Sequence, residues 1–270
     1  MSGNGKAVAL PTGLTKQLKF KVMYMKKIFL QIAVLSCLMS NGAIADTNGV
    51  VSMDEKVFGK SLGEYANLWW QWASSMPALE SPVKDMTGIK CDVNQKGQVW
   101  FLAGGYGSSK ITRKCSIPKG NHLFFPVINM LYFPSGIGTS LTCDAAKASV
   151  TINNDYLRSF IVTIDKHKIV NPVLHRYSSP DCFDLLGWPP KNINSPTVYP
   201  SATDGYWVML KPLSLGTHKI KFRAEYHNQN EDYGMMIQDI EYQIDIIESD
   251  KKSPTLKLIE DSRRKPDNGI

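Results

Sequence analysis

DIEYQIDI, residues 239–246, decides the fold class, because its polar and apolar residues alternate without a break. Successive side chains of an extended chain point to opposite faces, so the four apolar residues share one face and the four polar residues share the other. The pattern predicts a strand with one side in a hydrophobic core and one side in water.

Other β patterns lie upstream of this strand. They are 98–104 (QVWFLAG), 121–129 (NHLFFPVIN), 159–170 (SFIVTIDKHKIV) and 205–226 (GYWVMLKPLSLGTHKIKFRAEY). Pro126 pushes the second run towards a sheet edge or a bulge, and Asp165 and Lys166 begin a predicted hairpin turn. Short strands without alternating helices predict a mainly β protein, an antiparallel β-sandwich of jelly-roll-like or immunoglobulin-like plan.

One N-terminal amphipathic helix is also predicted. Ser61 and Glu64 fit a capping box, and apolar residues then recur at steps of three and four as far as Pro77. Trp69 and Trp72 lie on this apolar stripe, which predicts that both are buried. Trp70 lies off the stripe and is predicted to be available for binding.

The ends of the chain point to export. Residues 25–45, from Met25 to Ala45, read as a signal peptide with two lysines, an apolar stretch and a small-residue cleavage site. Residues 1–24 precede it and are interpreted as an upstream extension from a start codon placed too early. Residues 46–247 are predicted to form a single β-sandwich domain, and 248–270 a polar, mobile tail. Lipid anchoring at Cys37 is the alternative to cleavage after Ala45.

The charge balance changes when the signal peptide is removed. The whole chain carries a formal charge of +7, but the first 45 residues contain six lysines and no acid. The mature protein is therefore nearly neutral, with no basic stripe of the kind that binds nucleic acid. It also contains no apolar stretch long enough for a transmembrane span, so periplasmic or secreted localisation is expected.

Four cysteines remain in the mature chain, namely Cys91, Cys115, Cys143 and Cys182. An even number in an exported chain predicts two disulfides, for which three pairings are possible. The sequence favours Cys91 with Cys115 and Cys143 with Cys182, because these pairs close short loops around predicted strands. No ligand spacing typical of a metal site is present, so no metal is expected.

Several blocks give the chain a resemblance to a family of exported bacterial proteins, mostly of undefined function. The blocks are WWQWA, DMTGIKC, NQKGQVWFLAG, RKCSIPKGNHLFFPVIN and DGYWVMLKPLSLGTHKIKF. The resemblance extends over nearly all of the mature chain. It implies export and a β-rich fold, and it supplies no activity, cofactor or catalytic residue.

Aromatic residues are the first candidate for a ligand site, because sugar rings stack on tryptophan and tyrosine faces. Trp70 and Trp188 are the main candidates, and Trp188 is expected to be exposed on its proline-rich loop. Trp100, Trp207, Tyr106 and Tyr206 could complete an aromatic platform. Burial in the sandwich is the competing interpretation for the tryptophans within strands.

Ionisable residues form two further candidates. Glu225 and His227 share a strand face, and Asp239 and Glu241 are expected on the facing strand, where they could act as acid and base or form only salt bridges on a solvated face. If Cys91 and Cys115 are joined, Asp85 and Arg113 come together as a structural pair or a small polar pocket.

These observations leave three functions open. An exported protein that binds a glycan or another component of the cell envelope is favoured. A secreted hydrolase or lyase that uses carboxylate and histidine side chains is the second, and a structural or interaction protein without a small-molecule ligand is the third. No phosphate-loop, nucleophile-elbow or zinc-protease motif is present, so no cofactor is predicted.

Overall fold

The computed structural model describes residues 49–107, 110–134, 141–190, 194–229 and 234–248. These residues form two helices, two short 3-10 turns and nine strands. The helices are α1 (Leu62–Ser74) and α2 (Cys143–Ser149), and the 3-10 turns are Asn154–Tyr156 and Pro172–His175. The strands are β1 (Val99–Phe101), β2 (Lys110–Pro118), β3 (His122–Tyr132), β4 (Leu157–Ile164), β5 (His167–Ile169), β6 (Arg176–Ser178), β7 (Ala202–Leu210), β8 (Gly216–His227) and β9 (Met235–Ile247).

The strands form two sheets, which confirms the mainly β prediction. Sheet 1 has the order β1-β3-β7-β6, and sheet 2 has the order β2-β9-β8-β4-β5. Most neighbours are antiparallel, but each sheet also contains one parallel pair, β1 with β3 and β2 with β9. In both parallel pairs the two strands are not consecutive in the chain.

A hydrophobic core fills the space between the sheets. Phe125 of β3 stacks on Phe222 of β8 with ring centroids 4.9 Å apart. In β9 the residues from Gln238 to Ile246 alternate between buried and half-buried, as the alternation of DIEYQIDI predicts. Sheet 2 therefore places one face against sheet 1 and the other towards solvent.

Helix α1 covers the opposite face of sheet 1. Its predicted capping box is present, because the Ser61 hydroxyl accepts from the Glu64 N–H and the Glu64 carboxylate accepts from the Ser61 N–H. Trp69 and Trp72 are buried against this sheet, as predicted. Since β7 is covered on both faces, all nine of its residues are buried.

Two local predictions gain detail. Pro126 lies in β3, which is an inner strand of sheet 1, and the register shifts between Pro126 and Ile128, so the proline marks a bulge and not an edge. The predicted hairpin is present, with β4 and β5 paired on either side of Asp165 and Lys166. Helix α2, which begins at the N-cap Thr142, was not predicted.

Both favoured disulfides are confirmed. Cys91 is bonded to Cys115, and Cys143 is bonded to Cys182. Two disulfides are typical of proteins outside the cytoplasm. Within the described residues, no helix is both long enough and apolar enough to cross a membrane.

The predictions for the two ends of the chain concern residues outside the described ranges. The upstream extension, the signal peptide and Cys37 lie outside the described residues, as does the tail from residue 249 onwards. The described residues all belong to one compact unit that begins at Asn48.

Candidate functional site

A cavity of about 550 Å³ lies between α1 and the start of β9. Its size falls in the range of small-molecule sites in proteins. The described lining comes from α1, the loops that follow α1 and β1, the second half of β3, and β9. The lining includes Trp70, Met76, Tyr106, Asn129, Met236 and Gln238.

Trp70 lines one wall of this cavity. Its indole N–H donates to the Thr203 hydroxyl over 2.9 Å, and its ring meets the Trp69 ring edge-on with centroids 5.1 Å apart. Both contacts hold the half-buried ring in one orientation. The helical phase that separates Trp70 from Trp69 and Trp72 thus predicts correctly which of the three is left partly accessible.

Tyr106 is the second candidate aromatic that lines the cavity, where Trp69 and Phe133 also contribute, and it lies at the mouth, 71% exposed. The remaining candidate aromatics are buried and do not line the cavity, namely Trp100, Trp188, Trp207 and Tyr206. The exposure expected for Trp188 is wrong, because only 8% of this residue is accessible. Its ring packs 5.7 Å from the Phe101 ring, and the Lys96 ammonium lies 5.9 Å from its centroid.

Two buried amide side chains, Asn129 and Gln238, also line the cavity. Gln238 is 2% exposed, and its Oε1 accepts from the Gly105 N–H over 2.7 Å. Because this contact uses the oxygen, only the NH₂ group of the amide is left, and it has no hydrogen-bond partner among the described residues. Asn129 is 8% exposed, and within the same ranges neither end of its amide is hydrogen-bonded to protein.

Glycines make room for both amides. A Cβ on Gly104 would lie 3.2 Å from the Gln238 Nε2, and a Cβ on Gly205, opposite Asn129 in the neighbouring strand, would lie 2.4 Å from the Asn129 Cβ. In the fold, Gly104 and Gly105 also allow the close approach of β9 to the loop after β1.

Arg113 and Asp85 lie together, but not as a pair of opposite charges. The Arg113 Nε donates over 2.7 Å to the main-chain carbonyl of Asp85. The Asp85 carboxylate instead accepts from the Thr87 hydroxyl and from the N–H groups of Thr87 and Lys90. Burial raises the pKa of Asp85, but these hydrogen bonds and the nearby Arg113 lower it by more. Its net pKa therefore lies below the ordinary value.

The Arg113 guanidinium is 1% exposed and binds main-chain carbonyls on two loops. Its Nη1 donates to Ala103 and Gly104, and its Nη2 donates to Val83. The Tyr242 hydroxyl lies 2.9 Å from Nη1 and itself donates to Ala103. Arg113 therefore joins the loop after α1 to the loop after β1 from behind the cavity wall, without lining it.

The ionisable face of sheet 2 is arranged as the strand patterns predict. Arg223 lies opposite Asp239, and Lys221 lies opposite Glu241. Glu225 Oε2 lies 3.5 Å from Arg223, and Glu241 Oε1 lies 2.8 Å from Lys219. None of Glu225, His227, Asp239 and Glu241 lines the cavity. Over the described ranges, no group of three His, Cys, Asp or Glu side chains is placed to hold a metal ion.

Ser214, His218 and Asp165 were not predicted as a site, although their order along a hydrogen-bond chain resembles a catalytic triad. His218 Nδ1 lies 2.9 Å from Asp165 Oδ2, and Nε2 lies 2.9 Å from the Ser214 carbonyl but 3.4 Å from its hydroxyl. Because a carbonyl oxygen can only accept, Nε2 carries a proton and cannot take one from the serine.

His218 is therefore a clamp between two loops, with both ring nitrogens acting as donors. Burial lowers the pKa of His218, but the hydrogen bonds to Asp165 and to the Ser214 carbonyl, together with the Asp165 charge, raise it by more. Its net pKa lies above the ordinary value, which favours the imidazolium. Asp165 and His218 are 53 residues apart in the sequence, so no local motif indicates this contact.

A further charged cluster lies on sheet 1 beside the 3-10 turn that begins at Asn154. Arg176 contacts Asp204 over 3.1 Å and Asp155 over 2.6 Å. Burial raises the pKa of Asp204 to about 6, and the charge and hydrogen bonds of Arg176 oppose that shift. None of these three residues lines the cavity, and their contacts hold β6 and β7 to the turn.

Comparisons of the chain with known protein families, with curated proteins and with solved structures found no match. The resemblance to exported bacterial proteins therefore stays a prediction from the sequence blocks. Function has to be argued from the cavity itself.

Proposed function

We propose that this is an exported binding protein whose cavity beside Trp70 takes a small component of the cell envelope, such as a glycan fragment. The observation that supports the proposal is the cavity of about 550 Å³, which is flanked by the Trp70 and Tyr106 rings. The Trp70 ring, which is fixed in the wall, and the Tyr106 ring at the mouth offer surfaces on which a ligand can stack.

Export is supported by the two disulfides and by the signal-peptide pattern of residues 25–45. We place the mature protein in the periplasm or outside the cell, where envelope components are the accessible ligands. The family resemblance implies the same location.

Retention on cell-wall preparations tests the proposal. The full chain, produced with export so that both disulfides form, is mixed with isolated cell wall and with a panel of envelope glycans. Bound protein and released fragments are both measured. We expect retention without fragment release, whereas released fragments would favour the predicted hydrolase and overturn the binding role.

Two variants locate the retained ligand at the cavity. Trp70→Ala removes the wall ring. Tyr106→Ala removes a highly exposed ring that contributes little to the core, so a loss of binding in this variant reports on the cavity and not on folding. Tyr156→Ala is the matched control, because Tyr156 is an exposed aromatic outside the cavity lining. Loss of retention in the first two variants but not in the control is expected. Equal retention by all three would overturn the proposal.

A further inference from the structure

The floor of the cavity differs in chemistry from its walls. Its buried polar lining residues are Gln238, Ser81 and Asn129, of which two carry amides, whereas thioether and aromatic side chains form the surrounding walls, including Met76, Met236 and Trp70. A ligand that fills this cavity must combine a hydrogen-bonding group with an apolar flank.

The two amides present complementary hydrogen-bonding groups. The Gly105 N–H already occupies the Gln238 oxygen, so Gln238 offers the cavity its NH₂ donor. Asn129 has both a free acceptor and a free donor among the described residues. Buried polar groups in native proteins are nearly always hydrogen-bonded, so polar groups left without protein partners beside a cavity are available to a molecule that fills it.

The lining also excludes a charged group on the floor. Lys84 and Tyr106 are the ionisable side chains in the described lining, and both are exposed at the mouth. Among the described lining residues, a buried carboxylate or ammonium of a ligand would find no opposite charge beside Asn129 or Gln238, and burying an unpaired charge is costly. The group that enters the floor is therefore uncharged.

From this chemistry we infer that the cavity recognises an uncharged acylamino group, as carried by N-acylated sugars. The acyl oxygen accepts from the Gln238 NH₂, and the N–H of the acylamino group donates to the Asn129 oxygen. The acyl methyl packs on the methionine walls, and the sugar ring lies on the Trp70 face. This inference rests on the proposed binding function and names its ligand class.

A matched pair of sugars tests the inference. The full, disulfide-bonded chain is titrated with the β-1,4-linked dimer and trimer of N-acetylglucosamine, and with the corresponding dimer and trimer of glucose, by isothermal titration calorimetry. The two series differ in the acylamino group at carbon 2. We expect affinity for the acetylated series to be at least tenfold higher, since a site built for a hydrogen-bonding group discriminates against ligands that lack it.

Variants assign that discrimination to the two amides. Gln238→Glu keeps an oxygen for the Gly105 N–H but replaces the NH₂ donor with an acceptor, and Asn129→Leu removes the other amide at similar volume. Each is expected to reduce affinity for the acetylated sugars at least tenfold. Glu225→Gln, on the outer face of sheet 2, is the control and should bind like the unmodified chain. Folding is verified by the thermal midpoint of each variant.

The outcomes separate this inference from the proposed function. Equal affinity for the two sugar series, or no binding of either, overturns the acylamino assignment. If Trp70-dependent retention on cell wall persists in that case, the binding function stands with another ligand. If the variants at both amides bind acetylated sugars normally, the floor of the cavity is not the recognition site and the inference fails.

Discussion

Arg113 and the cavity amides are buried polar groups only a loop apart, and they differ in what satisfies them. Arg113 donates to carbonyls of Val83, Asp85, Ala103 and Gly104, so its burial fastens two loops. Gln238 uses only its oxygen, and Asn129 uses neither end of its amide within the described ranges. Protein partners therefore account for the burial of Arg113 but not for that of the two amides.

This difference separates a structural polar residue from a binding one. Folding gains from the guanidinium, because removing it would leave carbonyls buried without donors. Folding gains little from amides that lack partners, and for this reason we assign them to ligand binding. Substitution of Arg113 should therefore reduce stability more than substitution of the two amides does. Ligand binding should show the reverse order.

The largest effect is expected from Arg113→Met. The variant keeps an apolar stem but leaves the carbonyls of two loops without their donor, so the free energy of unfolding should fall by more than about 3 kcal/mol. Urea denaturation at neutral pH measures the loss. Arg113→Lys, with a single ammonium group, is expected to recover only part of it. A loss below about 1 kcal/mol for the methionine variant would contradict the structural role assigned to Arg113.

An intermediate effect on stability is expected at His218. Its two partners, the Asp165 carboxylate and the Ser214 carbonyl, are both acceptors, so the ring donates to both only when it is protonated. Its pKa is raised in the folded state, so its stabilising contribution is complete below the unfolded value near 6.5 and is lost as pH rises through the folded value. His218→Gln should therefore lower the unfolding free energy by about 1 kcal/mol at pH 5.5 and by less at pH 8.5.

Asp165 sets the lower pH limit of the stabilising contribution from His218. Burial raises the pKa of Asp165, but its hydrogen bonds to His218 and Lys219 lower it by more, so this carboxylate contributes down to acidic pH. Urea unfolding of both proteins at pH 5.5, 7 and 8.5 measures the difference. A difference that grows with pH would refute the imidazolium clamp.

The smallest stability effect is expected from Asn129→Leu. Because the amide has no protein partner in the described ranges, an apolar side chain of similar volume should change the unfolding free energy by less than about 0.5 kcal/mol. Asn154→Leu is the matched control, since the Asn154 Nδ2 donates to the Asp204 carbonyl over 2.9 Å. That variant should lose about 1–3 kcal/mol. Equal losses in the two variants would show that Asn129 is a structural residue like Asn154.

Local patterns were sufficient to predict helix α1 and most strands, but not α2, β2 or β6. The alternation from Asp239 to Ile246 depends only on strand geometry, and the Ser61–Glu64 capping box depends on neighbouring residues. The helical phase also separated Trp70 from Trp69 and Trp72. In each case the deciding interaction lies within a few residues of sequence.

Tertiary contacts explain what the sequence did not reveal. Trp188 follows a loop pattern, but Phe101 and Lys96 from distant segments cover its ring. The cavity is assembled from several segments, so neither Asn129 nor Gln238 carries a local sign of its role. Gln238 lies one residue before the alternating pattern of residues 239–246. It is a polar residue on the buried face of β9, but this exception can be recognised only once the register of the strand is known.

The place of β9 in sheet 2 has a consequence for when the protein can finish folding. This strand lies between β2 and β8, and its parallel pairing with β2 sets Lys110 opposite Asp239, far along the chain. Sheets dominated by such distant pairings form slowly, because a long loop must close before the contacts form. During synthesis β2 therefore leaves the ribosome long before β9, and sheet 2 stays incomplete until β9 has followed.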